Sequence, residues 1–104
     1  MKDLRIRLSD AAISDILEQS DWYERQEDRR LSQRWESAVS SAILRIAKNP
    51  RFGAPCEFKA EELHRPRRIP VAGFPKHLIF YQFHADELLI LRIIHGARDL
   101  ESLL

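Results

Sequence analysis

A chain of 104 residues, 44% hydrophobic and 32% charged, holds enough apolar material for one compact core and leaves little room for a second domain or a deep cofactor pocket. Its formal net charge of +1 gives no general attraction to nucleic acid, and its single cysteine, Cys56, excludes an internal disulfide. No apolar run reaches membrane-spanning length and the opening MKDLRIRL lacks the apolar stretch of a secretion signal, so the expectation is one domain over 1–104, in the cytoplasm, with no membrane contact.

Residues 3–8, DLRIRL, alternate, with Leu4, Ile6 and Leu8 on one face and Asp3, Arg5 and Arg7 on the other. That period predicts a short half-buried strand. Ser9-Asp10 offers a side-chain oxygen to the free N–H groups of a following helix. Ile13, Ile16, Leu17 and Ser20 continue at helical spacing towards Tyr23. The stretch ERQEDRR, 24–30, has no apolar side chain and reads as an exposed turn. A second helix extends to about Lys48, with Leu31, Trp35, Ala38, Val39, Ala42, Ile43, Ile46 and Ala47 as its inner stripe. Asn49-Pro50 ends it, because proline disfavours the helical conformation in the residue before it.

Residues 49–63, with Pro50, Gly53 and Pro55, read as a loop. Three strand signals follow. The first, 64–71, contains Pro66 and Pro70, which donate no ladder hydrogen bond and so predict an edge or bulged strand. Ala72-Gly73-Phe74-Pro75 reads as a turn. The runs at 76–83 and 88–95 are apolar on both faces and read as central strands joined by Ala85-Asp86-Glu87. Two amphipathic helices cannot bury their stripes alone, so they are expected to pack together on one face of this sheet. The fold class is α+β: an N-terminal strand, a helical hairpin, a three-stranded antiparallel meander and a short C-terminal helical turn.

The charge is not evenly spread. Residues 1–62 carry 11 Lys+Arg against 12 Asp+Glu, whereas 63–98 carry six cations against two carboxylates, Asp86 and Glu87. The basic third includes Arg67, Arg68, Lys76, Arg92 and Arg98, together with His77, His95 and Tyr81. Such residues suit a metal-free ribonuclease, in which one group removes the 2′-hydroxyl proton, another protonates the leaving oxygen and cations stabilise the phosphate. For that chemistry the candidates are His95 with Arg98, Arg92 and Arg68, with His77 as a second acid or base and Tyr81 stacking on a base. The same residues also fit structural roles: His95 capping a strand end, His77 half-exposed at a strand start, and Tyr81 in the core with its hydroxyl at the surface. Arg92 interrupts the apolar run LLILRII. A charge there needs a carboxylate partner or a groove to open onto. The four histidines, 64, 77, 84 and 95, have no metal-ligand spacing. No phosphate-binding or dinucleotide motif is present, so no metal or cofactor is expected.

The order RRIPVAGFPKHLIFY, then LLILRIIHGARDLESLL, after the entry LSDAAISDILEQSDWYE, resembles the RelE/ParE superfamily of bacterial toxins, the ParE branch in particular. The resemblance covers nearly the whole chain. It implies a helical hairpin on one side of a small antiparallel-rich sheet, and a cognate antitoxin whose C-terminal segment folds as it wraps the toxin in a hetero-oligomer. RelE-like relatives cut messenger RNA on the ribosome, whereas ParE-like relatives poison DNA gyrase. RelE-like nucleases carry basic and aromatic residues just after the last strand. Here Arg98 is followed by Asp99 and Glu101, with no Tyr or Lys, and these carboxylates would repel a phosphate.

The expectation is therefore a toxin that grips a protein target, DNA gyrase, rather than an enzyme. Its target contacts would be Arg67, Arg68, Lys76, Arg92 and Arg98 with a patch of Leu100, Leu103 and Leu104. Its antitoxin contacts would be Trp22, Tyr23 and Trp35. The second reading is a ribosome-dependent mRNA endonuclease, and the third a non-toxic interaction module of the same fold.

Overall fold

The alternation at the start of the chain and the helical stripes that follow produce the expected first elements. The computed structural model describes residues 4–56 and 65–96. Strand β1 (Arg5–Leu8) leads into α1 (Asp10–Gln26) and α2 (Arg29–Lys48). Ser9 caps α1, accepting from the Ala12 N–H at 3.0 Å and donating its hydroxyl to the Leu91 carbonyl at 2.7 Å. One side chain thus both starts the helix and ties it to the sheet. Asp28 caps α2 by accepting from the Leu31 N–H. The expected turn over 24–30 contracts to Glu27 and Asp28. Glu, Arg and Gln are good helix formers and carry α1 through Gln26.

The sheet has five strands in the order β1-β5-β4-β3-β2, with β2 (Ala54–Pro55), β3 (Arg67–Val71), β4 (Phe74–His84) and β5 (Glu87–His95). β1 runs parallel to β5 and every other pair is antiparallel. The short β2 was not expected within the loop at 49–63. It pairs Ala54 with Arg68 and Pro55 with Arg67, too brief a ladder to leave a periodic signature. The β3–β4 ladder shifts register between Pro70, opposite Leu78, and Val71, opposite Phe74, so the extra residues, 75–77, belong to β4. The turn after β3 shortens to Ala72-Gly73, with β4 already begun at Phe74. A second irregularity, between Phe80 and Tyr81, places Phe80 opposite Arg92 and Tyr81 opposite Ile90. Leu91 is the extra residue, and the bulge re-aims the side chains that follow it.

The main core lies between the helices and one face of the sheet. Trp35, Val39, Ile43 and Ile46 of α2 meet Ile69, Val71, Ile79, Tyr81, Leu88, Ile90 and Ile93. The inner stripe of α2 is as its periodicity predicts. That of α1 is rotated from the expectation. Ala12 and Ser20 are buried and Ile16 and Tyr23 pack on the core, whereas Ile13 and Leu17 remain 43% and 56% exposed. Ile6 of β1 is also exposed. Polar anchors account for the rotation of α1. Ser9, Asp15 and Ser20 all have partners across the interface, and an unpaired buried donor or acceptor costs more than an exposed isoleucine. On the opposite face of the sheet, Phe80, Leu91 and Ile94 form a second buried cluster to which neither helix contributes. The apolar character on both faces of β4 and β5 follows from these two clusters. The expected C-terminal helical turn lies outside the described residues.

Tyr81 corrects one expectation. Its ring is in the core, but its hydroxyl is also buried. The hydroxyl donates to the Pro50 carbonyl and accepts from the Gly53 N–H, both at 2.8 Å, and burial raises its pKa above the ordinary tyrosine value. Gly53 is pressed so closely here that a Cβ would meet the Tyr81 hydroxyl and stand 2.9 Å from the Arg68 carbonyl oxygen. Tyr81→Phe leaves the Gly53 N–H without its acceptor and should lower stability by about 1–3 kcal/mol. Thermal denaturation should register this as a drop of at least several degrees in Tm.

Candidate functional site

The basic third of the chain is distributed by strand alternation, because successive side chains point to opposite faces. Arg67 lies on the helix-side face of β3. Its guanidinium donates to the Gly53 carbonyl at 2.7 Å and the Arg51 carbonyl at 3.3 Å. It clasps the same loop that Tyr81 holds. Arg68 is exposed and in register with Phe80, on the other face. It stands beside Cys56, whose thiol is pushed up in pKa by burial, with a partial opposing pull from this arginine. Lys76 is exposed at the start of β4, and its carbonyl accepts from the Gly96 N–H. Arg98, Leu100, Leu103 and Leu104 lie outside the described residues.

Arg92, expected to need a carboxylate or a groove, has the carboxylate. Its Nε and one terminal nitrogen each donate to Asp15 of α1 at 2.8 Å, while the Ile93 N–H donates to the same carboxylate at 2.9 Å. The two side chains are only 14% and 9% exposed. The hydrogen bonds to Asp15 raise the Arg92 pKa above its ordinary value, against the opposing effect of burial. This bidentate pair locks α1 onto β5. Its geometry corrects the expectation of a target contact at Arg92, because the guanidinium is committed to the interior of the fold.

His77 and His95 are cross-strand partners, with ring centroids 5.8 Å apart. His77 packs edge-on against Trp35 at 4.9 Å, in an aromatic group with Phe74 and Tyr23. Burial, and secondarily the charge of His95, lowers the His77 pKa below 6.5. Its protonation is therefore favoured in the unfolded chain. The stability it contributes as a neutral ring is present above pH 6.5 and declines as the pH falls through the ordinary histidine range. Melting temperature should decline from pH 7 to pH 5 more steeply in the wild type than in His77→Gln. Parallel profiles would contradict the assignment.

These positions do not assemble into a cleavage site among the described residues. His95 is beside His77, Arg92 is bound to Asp15, and Arg68 is on the opposite face from both histidines. The antitoxin candidates also separate. Trp35, placed by sequence both in the core stripe and at that surface, is fully buried, and its indole N–H donates to the Ile16 carbonyl. It is a core residue because α1 lies over it. Tyr23 is half-buried against it, and Trp22 is 48% exposed. The apolar surface of the helix pair lies elsewhere. Leu8, Ile16, Val39, Ile43 and Leu44 line a groove of about 380 Å3. Leu44 is 57% exposed, and Ile13 and Leu17 are the large exposed aliphatics of the neighbouring α1. Sequence reasoning assigned Ile13 and Leu17 to the core. Only the rotation of α1 by its polar anchors exposes them.

A mixed five-stranded sheet carrying a two-helix hairpin on one face, with the Arg92–Asp15 pair tying helix to sheet, defines a small α+β protein. The chain belongs to the family described as ParE toxin of type II toxin-antitoxin system, parDE, whose model matches residues 6–100. Among solved structures, one from the chromosomal ParDE TA system of P. aeruginosa is similar to it, with a TM-score of 0.72 and 13% sequence identity over 88% of this chain and 95% of that one. At that identity the likeness is one of fold. No curated protein matches the chain by sequence. No helix among the described residues is long and apolar enough to cross a membrane.

Proposed function

We propose that this ParE-family toxin arrests growth by gripping DNA gyrase in the cytoplasm and is neutralised by a cognate antitoxin lying on the helix pair. The observation that carries gripping over cutting is that the described candidate cations stand away from the adjacent histidines, His77 and His95. General acid–base catalysis needs its groups within hydrogen-bond reach of one reacting centre. Here Arg92 is spent on Asp15 and Arg68 points away from the histidines. The groove beside Leu44, lined by Ile16 of α1 and by Val39 and Ile43 of α2, supports the antitoxin half of the proposal. An apolar groove open to solvent between two helices marks an interaction surface. Its arrangement suits an amphipathic segment laid along two helices. The target contacts are proposed at the exposed Arg68 and Lys76, with Arg98 and the leucines at 100, 103 and 104.

Expression of the chain alone is expected to stop growth. Co-expression with the short protein encoded beside it should restore growth and yield a complex that stays together on size exclusion at micromolar concentration. Two proteins eluting separately would contradict the pairing.

A further inference from the structure

Beyond the C-terminal end of α2 lies a groove of about 340 Å3 lined by Arg51, Arg65, Arg67, Phe83 and His84. Among the described residues no carboxylate lines it. The sheet register assembles it. Arg67 stands opposite Tyr81 in the β3–β4 ladder, and side chains two residues apart on a strand share a face. Phe83, two residues past Tyr81, therefore follows on the side of Arg67. Arg51 comes from the loop that Arg67 clasps, and Arg65 from the residues that lead into β3.

Arg67 is a fixed cation. Its Nη1 makes both bonds to the loop, and its Nε and Nη2 have no hydrogen-bond partner among the described residues. The clasp orders the guanidinium before a ligand arrives, so less freedom is lost on binding. Arg65 has a φ of +45°, in the left-handed region that a residue other than glycine adopts at a cost. Backbone strain of this kind collects at binding sites, and here it accompanies a third guanidinium on the same groove. Like charges gathered without a carboxylate focus a positive potential that favours an anion.

We propose that this groove binds a nucleoside 5′-phosphate, either a free nucleotide or the phosphorylated 5′ end of a nucleic acid strand. Three arginines from three segments suit a phosphate better than a carboxylate. A terminal phosphate presents three oxygens in a tetrahedral array, whereas a carboxylate presents two in one plane, which a single guanidinium fork already matches. The groove is larger than a phosphate alone requires and falls in the range of small-ligand sites. Phe83, half-buried, gives it an apolar aromatic wall against which the base rests. The groove lies six residues along β4 from His77, roughly 20 Å. It is therefore separate from the histidine pair, and it depends on neither the gyrase nor the antitoxin assignment.

The test is isothermal titration calorimetry of the full chain with adenosine 5′-monophosphate, with adenosine and succinate as comparison probes. The monophosphate is expected to bind and both comparison probes to fail. The double variant Arg51→Ala with Arg65→Gly should lose about tenfold or more in affinity, since two exposed charge contacts disappear together. Its melting temperature should not fall, because both side chains are exposed and glycine adopts the φ of residue 65 without strain. Arg34→Ala, an exposed cation elsewhere on α2, should leave binding unchanged. A 5′-phosphorylated trinucleotide that binds more tightly than the monophosphate, and loses that advantage without its 5′-phosphate, assigns the site to a strand end. Equal or weaker binding assigns it to the free nucleotide. Adenosine or succinate binding as well as the monophosphate, no binding of the monophosphate, or indifference to the double change would each overturn the proposal.

Discussion

Asp15→Ala is expected to destabilise the fold by about 3–5 kcal/mol, more than the loss of any one neutral hydrogen bond in it. The change removes both hydrogen bonds to Arg92 and the acceptor of the Ile93 N–H in one step. It leaves a guanidinium only 14% exposed with its carboxylate gone. Truncating one partner of such a pair costs more than the pair contributes net, because the remaining charge is stranded. The joint replacement Asp15→Leu with Arg92→Met should therefore recover most of the lost stability. Chemical denaturation of the single and double variants checks this. A single variant within about 1 kcal/mol of wild type would mean that the pair does not lock α1 to β5.

The second large effect falls on binding. Leu17→Glu combined with Leu44→Glu is expected to weaken antitoxin association by a hundredfold or more, while thermal stability changes little. Both side chains are more than half exposed, so the free protein tolerates the carboxylates at a cost within about 0.5 kcal/mol each. In the complex each carboxylate would be desolvated without a partner, which costs several times as much. Isothermal titration calorimetry against the antitoxin, alongside a melting curve, separates the two effects. Unchanged affinity would move the antitoxin off this groove. A collapsed melting temperature would show that Leu17 and Leu44 belong to the core.

The sequence revealed the architecture where hydrophobic periodicity was strong. The stripe of α2 and the two-faced runs of β4 and β5 appear in the structure as the core layers they predicted. Ser9 was visible as a cap from its position ahead of an apolar periodic segment. What escaped reading was set by long-range partners. Asp15 lies 77 residues from Arg92, and no local pattern shows which way a lone Asp will turn α1. Once it turns inward, Ile13 and Leu17 are carried outward. The two-residue strand β2 exists only through pairing with β3, and the buried Tyr81 hydroxyl only through the Pro50–Gly53 loop. The candidate site was legible by residue type and not by placement. Arg67 and Arg92 read as target contacts, but both hold the scaffold together.

The central claim is that toxicity comes from gripping gyrase rather than from cutting RNA, and one paired assay addresses it directly. Purified toxin would be added to a DNA gyrase supercoiling reaction and, separately, to translating ribosomes with a defined messenger RNA. The prediction is dose-dependent loss of supercoiling that is reversed by antitoxin and persists in His95→Ala, with the messenger RNA intact. Messenger RNA cleaved at discrete positions, with the cleavage abolished by His95→Ala and gyrase unaffected, would contradict the account.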